Sequence, residues 1–407
     1  MAFDIGTTTL VGVLIEIDGC KDLGIESIPN PQAEYGRDVL SRVKAIIDDP
    51  PLLRILQGDV VGALNKIVRK LLPGTDDKIS RFTAVGNPVM EHILTGISPA
   101  SLGKVPYRPF FRESKIIPSD EIGLDGSKGS RLYTFPLISG FVGGDTIAVI
   151  LSTELHRALQ PSIAIDIGTN SEIAIRSSRG LYVTSAAAGP AFEGGEIEYG
   201  MVAGKGAIEG IRIDNDNVVL DVIGDVKPTG ICGSGLLSIV SRLIALNIID
   251  KSGRIKGRNE IAGNLANRIK EEEDGNNFIL YRGASGEVVL TQRDVRAFQL
   301  AKSAIRAGIS LLMDKAQVGL QDIEDVYIAG AFGSSLRKED LISIGVLDRF
   351  WADRITFVGD AALDGARLVL CSNEKRDEAE EIARMARYIS LSGSRHFQKE
   401  FMKQMNF

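Results

Sequence analysis

Cysteine is scarce in this chain of 407 residues, with only Cys20, Cys232 and Cys371, far apart in sequence. Such spacing makes neither a disulfide framework nor the clustered ligand set of a zinc or iron–sulfur site. Each thiol reads as a small buried hydrophobe. Histidine is equally scarce, and His92, His156 and His396 offer no paired metal spacing. Redox or zinc chemistry within these residues is therefore not expected. Positive charge is short too: the net charge of −6 argues against a protein that neutralises nucleic-acid phosphates. No apolar run approaches the ~20 residues a membrane-spanning helix needs. No secretory signal precedes the first strand-like segment, so the cytoplasm is the expected compartment.

What is present suits a globular protein of two or three domains, with 44% hydrophobic and 25% charged residues. One internal repeat stands out. Ala2 to Ile15 reads A-F-D-I-G-T-T-T-L-V-G-V-L-I, and Ile163 to Ile175 reads I-A-I-D-I-G-T-N-S-E-I-A-I. A shared four-letter string is weak by itself. The matching strand–turn–strand context on both sides raises it above chance. Two copies about 160 residues apart predict two similarly built lobes, 1–160 and 161–407.

Periodicity predicts helices near 36–48 and 52–72, a strand at 82–85, a short helix at 88–94, a strand at 132–139 and a helix at about 145–158. Residues 96–130, rich in Pro, Gly and Ser, read as an irregular surface excursion. In the second half, strands are expected near 163–167, 172–176, 181–186 and within 207–223, with a helix from Gly233 to about Ala245. Residues 251–288 read as an exposed insertion. A long helix from Arg293 to about Ala316, strands at 325–329 and 355–358, and helices near 360–371, 375–391 and 395–405 complete the chain. The C-terminal helices, 375–407, are expected to pack back on the first lobe. This alternation implies α/β lobes around central sheets.

The chemistry concentrates where strands break into small residues. In Asp4-Ile5-Gly6-Thr7-Thr8-Thr9 the glycine permits a tight turn whose amides approach an anion, and the threonine hydroxyls add donors. An aspartate at a strand end beside phosphates can hold a magnesium-bound water or orient an attacking one. Asp166-Ile167-Gly168-Thr169-Asn170-Ser171 is the second instance. A plain hairpin with a polar turn competes for either copy alone; the pair favours a phosphate clamp. Val326 to Ser335 is a strand that dissolves into Gly330-Ala331-Phe332-Gly333-Ser334, where bare backbone suits the flat face of an adenosine. Gly140 to Ala148 and Gly359 to Ala366 are small-residue runs that let helices cross closely. Asp145 at the start of the first such helix is either a simple N-cap or a carboxylate for water-bound magnesium. Asp360 reads as a cap. Two further glycine segments, around Gly189 and around Gly233-Ser234, are either architectural or loops for phosphate and ribose oxygens.

In order and spacing these elements resemble the actin-like ATPase clan of sugar kinases, heat-shock chaperones, actin and dehydratase activators. The resemblance implies two ribonuclease H-like lobes with an interlobe nucleotide cleft. Within the clan, A-F-D-I-G-T-T-T, N-P-Q-A-E-Y-G-R-D-V-L-S-R at 30–42, A-V-G-N-P-V-M at 84–90, S-A-A-A-G-P-A-F-E-G-G at 185–195, G-I-C-G-S-G-L at 230–236 and A-G-A-F-G at 329–333 resemble the reductive activators of corrinoid proteins. That family uses ATP to drive electrons onto a corrinoid protein whose cobalt has become oxidised to the inactive Co(II) state. On this resemblance Asp4 and Asp166 are the catalytic carboxylates. Gly6, Thr7, Thr8, Gly168, Thr169, Asn170, Gly189, Gly233, Ser234, Gly330, Ala331, Phe332, Gly333 and Ser334 contact ATP. Asp4, Asp145 and Asp166 hold Mg2+ through water. The electrons are expected from a [2Fe–2S] domain that would precede Met1, so the chain reads as a fragment lacking its redox domain. A corrinoid protein is the expected partner, and a homodimer is compatible with the family. Two other enzymes compete, a small-molecule kinase of the sugar-kinase type and a hydroxyacyl-CoA dehydratase-type activator. A non-enzymatic module that binds nucleotide only for stability is the third alternative.

Overall fold

Apolar runs punctuated by glycine and hydroxyl residues fold as strands in both halves of the chain. The computed structural model describes residues 1–36, 38–74, 78–284, 286–330 and 336–407. The first half runs β1 (Ala2–Ile5), β2 (Thr9–Glu16), β3 (Lys21–Pro29), α1 (Val39–Asp48), α2 (Leu52–Leu71), β4 (Arg81–Gly86), α3 (Pro88–Leu94), β5 (Lys115–Pro118), β6 (Arg131–Thr134) and α4 (Gly144–Ser152). The second continues with β7 (Ser162–Asp166), β8 (Asn170–Ser177), β9 (Gly180–Ala187), β10 (Ala207–Asp214), β11 (Asn217–Val222), β12 (Gly230–Ile231) and α5 (Gly233–Ala245). Then come β13 (Ile269–Lys270), β14 (Asn277–Gly283), β15 (Gly286–Leu290), α6 (Gln292–Ala316), β16 (Asp325–Ala329), α7 (Lys338–Ser343) and β17 (Ile355–Gly359). The chain closes with α8 (Ala361–Cys371), α9 (Asn373–Met385), β18 (Ala386–Tyr388) and α10 (Arg395–Lys403).

One six-stranded sheet has the order β3-β2-β1-β4-β6-β5, and a second has the order β17-β16-β7-β8-β9-β18. The first is mixed. β1 lies antiparallel to β2 and parallel to β4, so the strand carrying Asp4 is an interior one. The chain divides into two compact units, one of Met1–Ala164, Ala174–Thr184 and Asp360–Ile389, the other of Ile165–Ile173, Ser185–Gly359 and Ser390–Phe407.

In the first unit the core lies between α2 and the sheet. Leu56, Val60, Leu64 and Ile67 recur at helical spacing and pack in one cluster with Phe3, Ile5, Phe82 and Ala84. Burying each such large side chain contributes about 1.5–3 kcal/mol. The second unit is organised on α6. A reciprocal capping box starts it, with Thr291 Oγ1 accepting from Asp294 N–H and Asp294 Oδ2 from Thr291 N–H. Phe298, Ile305 and Leu312 form its buried stripe.

Several elements differ from the sequence expectation. The strand expected over 132–139 stops at Thr134, because Pro136 has no N–H for the ladder. The helix expected to Ala158 ends at Ser152, where Glu154 takes a left-handed conformation (φ 55°) before a short 3-10 turn. The helix expected over 375–391 ends at Met385, and Ala386–Tyr388 pairs in parallel with β9. Segment 251–288 exposes its acidic run, yet β13, β14 and β15 form a sheet that starts within it and ends at Leu290, and Phe278, Ile279 and Leu280 are buried. Cys20 and Cys371, read as separate hydrophobes, are joined in a disulfide between the β2–β3 turn and the end of α8; only Cys232 is a free buried thiol. A separation of 351 residues left no local trace of that pairing.

Candidate nucleotide site

The first D-I-G-T turn is built on β1 and held from behind. A Cβ at Gly6 would sit 2.6 Å from the Thr9 carbonyl oxygen, so the turn tolerates no side chain there. Its carbonyls are all engaged. Asn30 Nδ2 donates to Gly6 O (2.9 Å), Arg42 Nη2 to Thr7 O (2.6 Å) and Asn30 N–H to Thr8 O (2.8 Å). Asn87 Nδ2 donates to Thr7 Oγ1 at 3.1 Å. Engaged carbonyls fix the direction of the peptide planes, which is what a preorganised anion turn requires.

The two asparagines do double duty. Asn30 Oδ1 accepts from Gln32 N–H and Asn87 Oδ1 from Met90 N–H, so each caps the helix that follows it while its amide nitrogen reaches the turn. In both cases proline follows at the first helical position, where its missing N–H costs nothing. Arg42 is fully buried and spreads its fork over Thr7 O, Gly36 O and Gln32 Oε1, with Met90 Sδ alongside. Burial pulls its pKa down to about 10, so it stays cationic.

Asp145 lies in the first turn of α4, whose N-cap is Gly143 rather than the aspartate. Its Oδ1 accepts from Thr146 N–H at 2.6 Å. The glycines before it bring α4 against β4 and α3: a Cβ at Gly143 would meet Gly86 O at 2.3 Å, and one at Gly144 would meet Glu91 Oε1 at 2.3 Å. Glu91 is fully buried, accepts from Gly144 N–H through Oε1, and among the described residues has no hydrogen-bond partner within normal geometry at Oε2. Burial, then the neighbouring Asp145 charge, pushes its pKa well above the ordinary carboxylate range. Burial also raises Asp145, to about 6. Farther along α4, a Cβ at Gly365 of α8 would lie 2.3 Å from Ala148 O, so these helices cross with backbone against backbone. Asp360 caps α8, accepting from Leu363 N–H.

The second turn follows β7. Ile167 N–H donates to Ala329 O, and Gly330 N–H to Gly359 O, which ties β7, β16 and β17 at their ends. Gly189 N–H donates to Thr169 O at 2.9 Å, and Glu193 Oε1 accepts from both Thr169 N–H (2.5 Å) and Thr169 Oγ1 (2.9 Å). A Cβ at Gly233 would fall 1.9 Å from Phe192 O, and no side chain caps the start of α5. The turn, the 189–195 loop and the α5 N-terminus therefore adjoin within the second unit.

Of the residues singled out by sequence, Asp4, Gly6, Thr7, Thr8 and Asp145 lie in the first unit; Asp166, Gly168, Thr169, Asn170, Gly189, Gly233, Ser234 and Gly330 lie in the second. Ala331, Phe332, Gly333 and Ser334 lie outside the described residues. Asn30, Arg42, Asn87, Glu91 and Glu193 were not singled out. The paired Asn-Pro steps, each a cap followed by a first-turn proline, were the signal available for two of them. The carboxylates Asp4, Asp145 and Asp166 supply hard oxygen donors that suit Mg2+. A dication beside Asp145 would offset the burial that raises its pKa, so this carboxylate suits such an ion. Among the described residues no cluster of three or more His, Cys, Asp or Glu side chains is placed to hold a metal directly, and no helix is long and apolar enough to cross a membrane.

Comparison with known proteins gives consistent matches. Residues 160–407 match the C-terminal domain of RACo, the ASKHA domain, and residues 1–158 match the RACo middle region. The corrinoid activation enzyme RamQ of Eubacterium limosum is 34% identical over 418 residues, covering 100% of this chain and 70% of that protein. The [Co(II) methylated amine-specific corrinoid protein] reductase of Methanosarcina barkeri is 24% identical over 363 residues, covering 81% of this chain and 63% of that protein. A solved structure of a reductive activator for corrinoid, iron-sulfur protein superposes with a TM-score of 0.90 at 34% identity, over 100% of this chain and 65% of that one. The chain thus spans about two thirds of the length of these relatives. It belongs to the RACo family of reductive activators of corrinoid proteins, and its fold is the ASKHA, or actin-like ATPase, fold.

Proposed function

We propose that this chain is the ATP-binding and ATP-hydrolysing part of an activator that returns a corrinoid protein from the Co(II) state to its active reduced form in the cytoplasm. The observation that carries the reading is the pair of D-I-G-T turns, the first with the carbonyls of Gly6, Thr7 and Thr8 all locked from behind. Locked carbonyls leave the peptide planes no freedom to reorient, so the turn binds an anion without a reorganisation cost.

In this reading Thr7, Thr8, Thr169 and Asn170 contact phosphate oxygens, and Gly330 borders the adenosine. Gly189, Gly233 and Ser234 border the terminal phosphate and ribose. Asp4, Asp145 and Asp166 would hold Mg2+ through water, and the ion would offset the charge of the phosphates. Asp4 and Asp166 orient the water that attacks the γ-phosphate. The electrons come from an iron–sulfur centre that these residues do not contain. ATP hydrolysis drives release of the bound corrinoid protein rather than phosphorylating it.

The test is ATP hydrolysis by the chain alone and with candidate corrinoid proteins held in the Co(II) state. Slow turnover that the Co(II) form accelerates, with inorganic phosphate as the product and loss of activity in Asp166→Ala, is expected. A phosphorylated small molecule among the products would instead identify a kinase. Turnover that no corrinoid protein changes would remove the activator role.

A further inference from the structure

The second D-I-G-T turn already holds an anion, and that anion is part of the chain. Glu193 Oε1 accepts from the Thr169 backbone N–H at 2.5 Å and from the Thr169 hydroxyl at 2.9 Å. It lies 3.4 Å from where a Cβ at Gly168 would be, so the carboxylate sits at van der Waals distance from the turn's glycine position. These are the donors that the nucleotide reading gives to phosphate oxygens. One N–H and one O–H cannot serve a carboxylate and a phosphate together, and like charges at hydrogen-bond distance repel.

We infer that Glu193 is a built-in stand-in for phosphate: its carboxylate takes the Thr169 donors of the second turn, and nucleotide binding must displace it. The loop leaves the movement to the side chain. Gly194 N–H donates to Ala191 O and Gly195 N–H to Pro190 O, which pins the backbone on the C-terminal side of Glu193. A Cβ at Gly194 would meet Met201 O at 2.7 Å, and one at Gly233 would meet Phe192 O at 1.9 Å, so neighbouring backbone closes on the loop. Rotation about the glutamate side-chain bonds is the inexpensive route out of the turn. The inference rests on the nucleotide reading and adds a competition term to it: affinity for the nucleotide is lower than the turn's donors alone would give.

The experiment measures the Kd of Mg2+·AMPPNP by calorimetry for the native chain, Glu193→Gln and Glu193→Ala. Removing the competing charge is expected to tighten binding about tenfold in both variants. Folded variants with unchanged or weaker affinity overturn the inference. A crystal structure of the native chain with Mg2+·AMPPNP decides the matter even if neither variant folds. Nucleotide on Thr169 with the Glu193 carboxylate moved away supports the inference, and a carboxylate still bonded to Thr169 beside bound nucleotide overturns it. A native chain that binds no nucleotide at all overturns the nucleotide reading itself, and this inference with it.

Discussion

Replacing Arg42 by lysine separates geometry from charge in the first turn, because lysine keeps the cation and loses the planar fork. The guanidinium serves three oxygen acceptors on different segments: Thr7 O in the turn, Gly36 O in the loop before α1, and Gln32 Oε1. An ammonium is a single point and cannot span all three from a side chain that is fully buried. At least two acceptors then lose their partner, and each orphaned buried acceptor costs about 1–3 kcal/mol. The expected local destabilisation is therefore roughly 2–6 kcal/mol, concentrated where the fork anchors the turn. With Thr7 O released, the Kd for ATP should rise at least about tenfold, equivalent to about 1.4 kcal/mol. Peptide-resolved hydrogen exchange over residues 2–16 and 30–48, together with calorimetric titration, reads both effects. Native exchange rates and native affinity in the lysine variant would refute the argument that the fork sets the turn.

Other perturbations follow from the same geometry. Burial raises the Asp145 pKa from 3.8 to about 6, so the folded chain holds a proton that the unfolded chain releases across that window, and this contribution to stability falls as pH rises through it. Asp145→Asn should therefore be more stable than the parent by roughly 3 kcal/mol at pH 7 without magnesium, with the gain vanishing below about pH 4; equal urea midpoints at pH 7 would refute it. Gly365→Ala drives a methyl to within 2.3 Å of Ala148 O and should cost about 2 kcal/mol or more by forcing α4 and α8 apart; a thermal midpoint equal to the parent's would contradict the backbone contact. Thiol titration of the non-reduced, denatured chain should find one reactive group, Cys232, and all three after reduction; three without reductant would exclude the Cys20–Cys371 link.

Elements whose signals are local were legible in the sequence. The helix from Gly233 to Ala245, the strand Asp325–Ala329 and the helix Pro88–Leu94 lie where periodicity and glycine or proline punctuation put them. Elements decided by distant partners were not. Nothing near residue 386 announces a strand until β9 is there to receive it. The same division runs through the candidate site. Both turns are visible as strings of four letters, whereas their supports arrive from 24 residues away at Asn30 and Glu193 and 35 away at Arg42. The stretches 30–42 and 84–90 carried the family resemblance without a physical role. The structure supplies one for the first turn, since they contain Asn30, Arg42 and Asn87.

The Asn-Pro steps have a consequence for the chemical durability of the chain. Asparagine ages by attack of the following residue's amide nitrogen on its side-chain carbonyl, closing a succinimide that opens to aspartate or isoaspartate. At Asn30 and Asn87 that nitrogen belongs to Pro31 and Pro88, which carry no N–H, so the ring closure is blocked. The two amides whose conversion to carboxylates would set acceptor against acceptor at Gly6 O, and place a negative charge beside Thr7, are thereby shielded from spontaneous deamidation. The prolines that start the two helices thus also close the succinimide route to loss of the donors behind the turn.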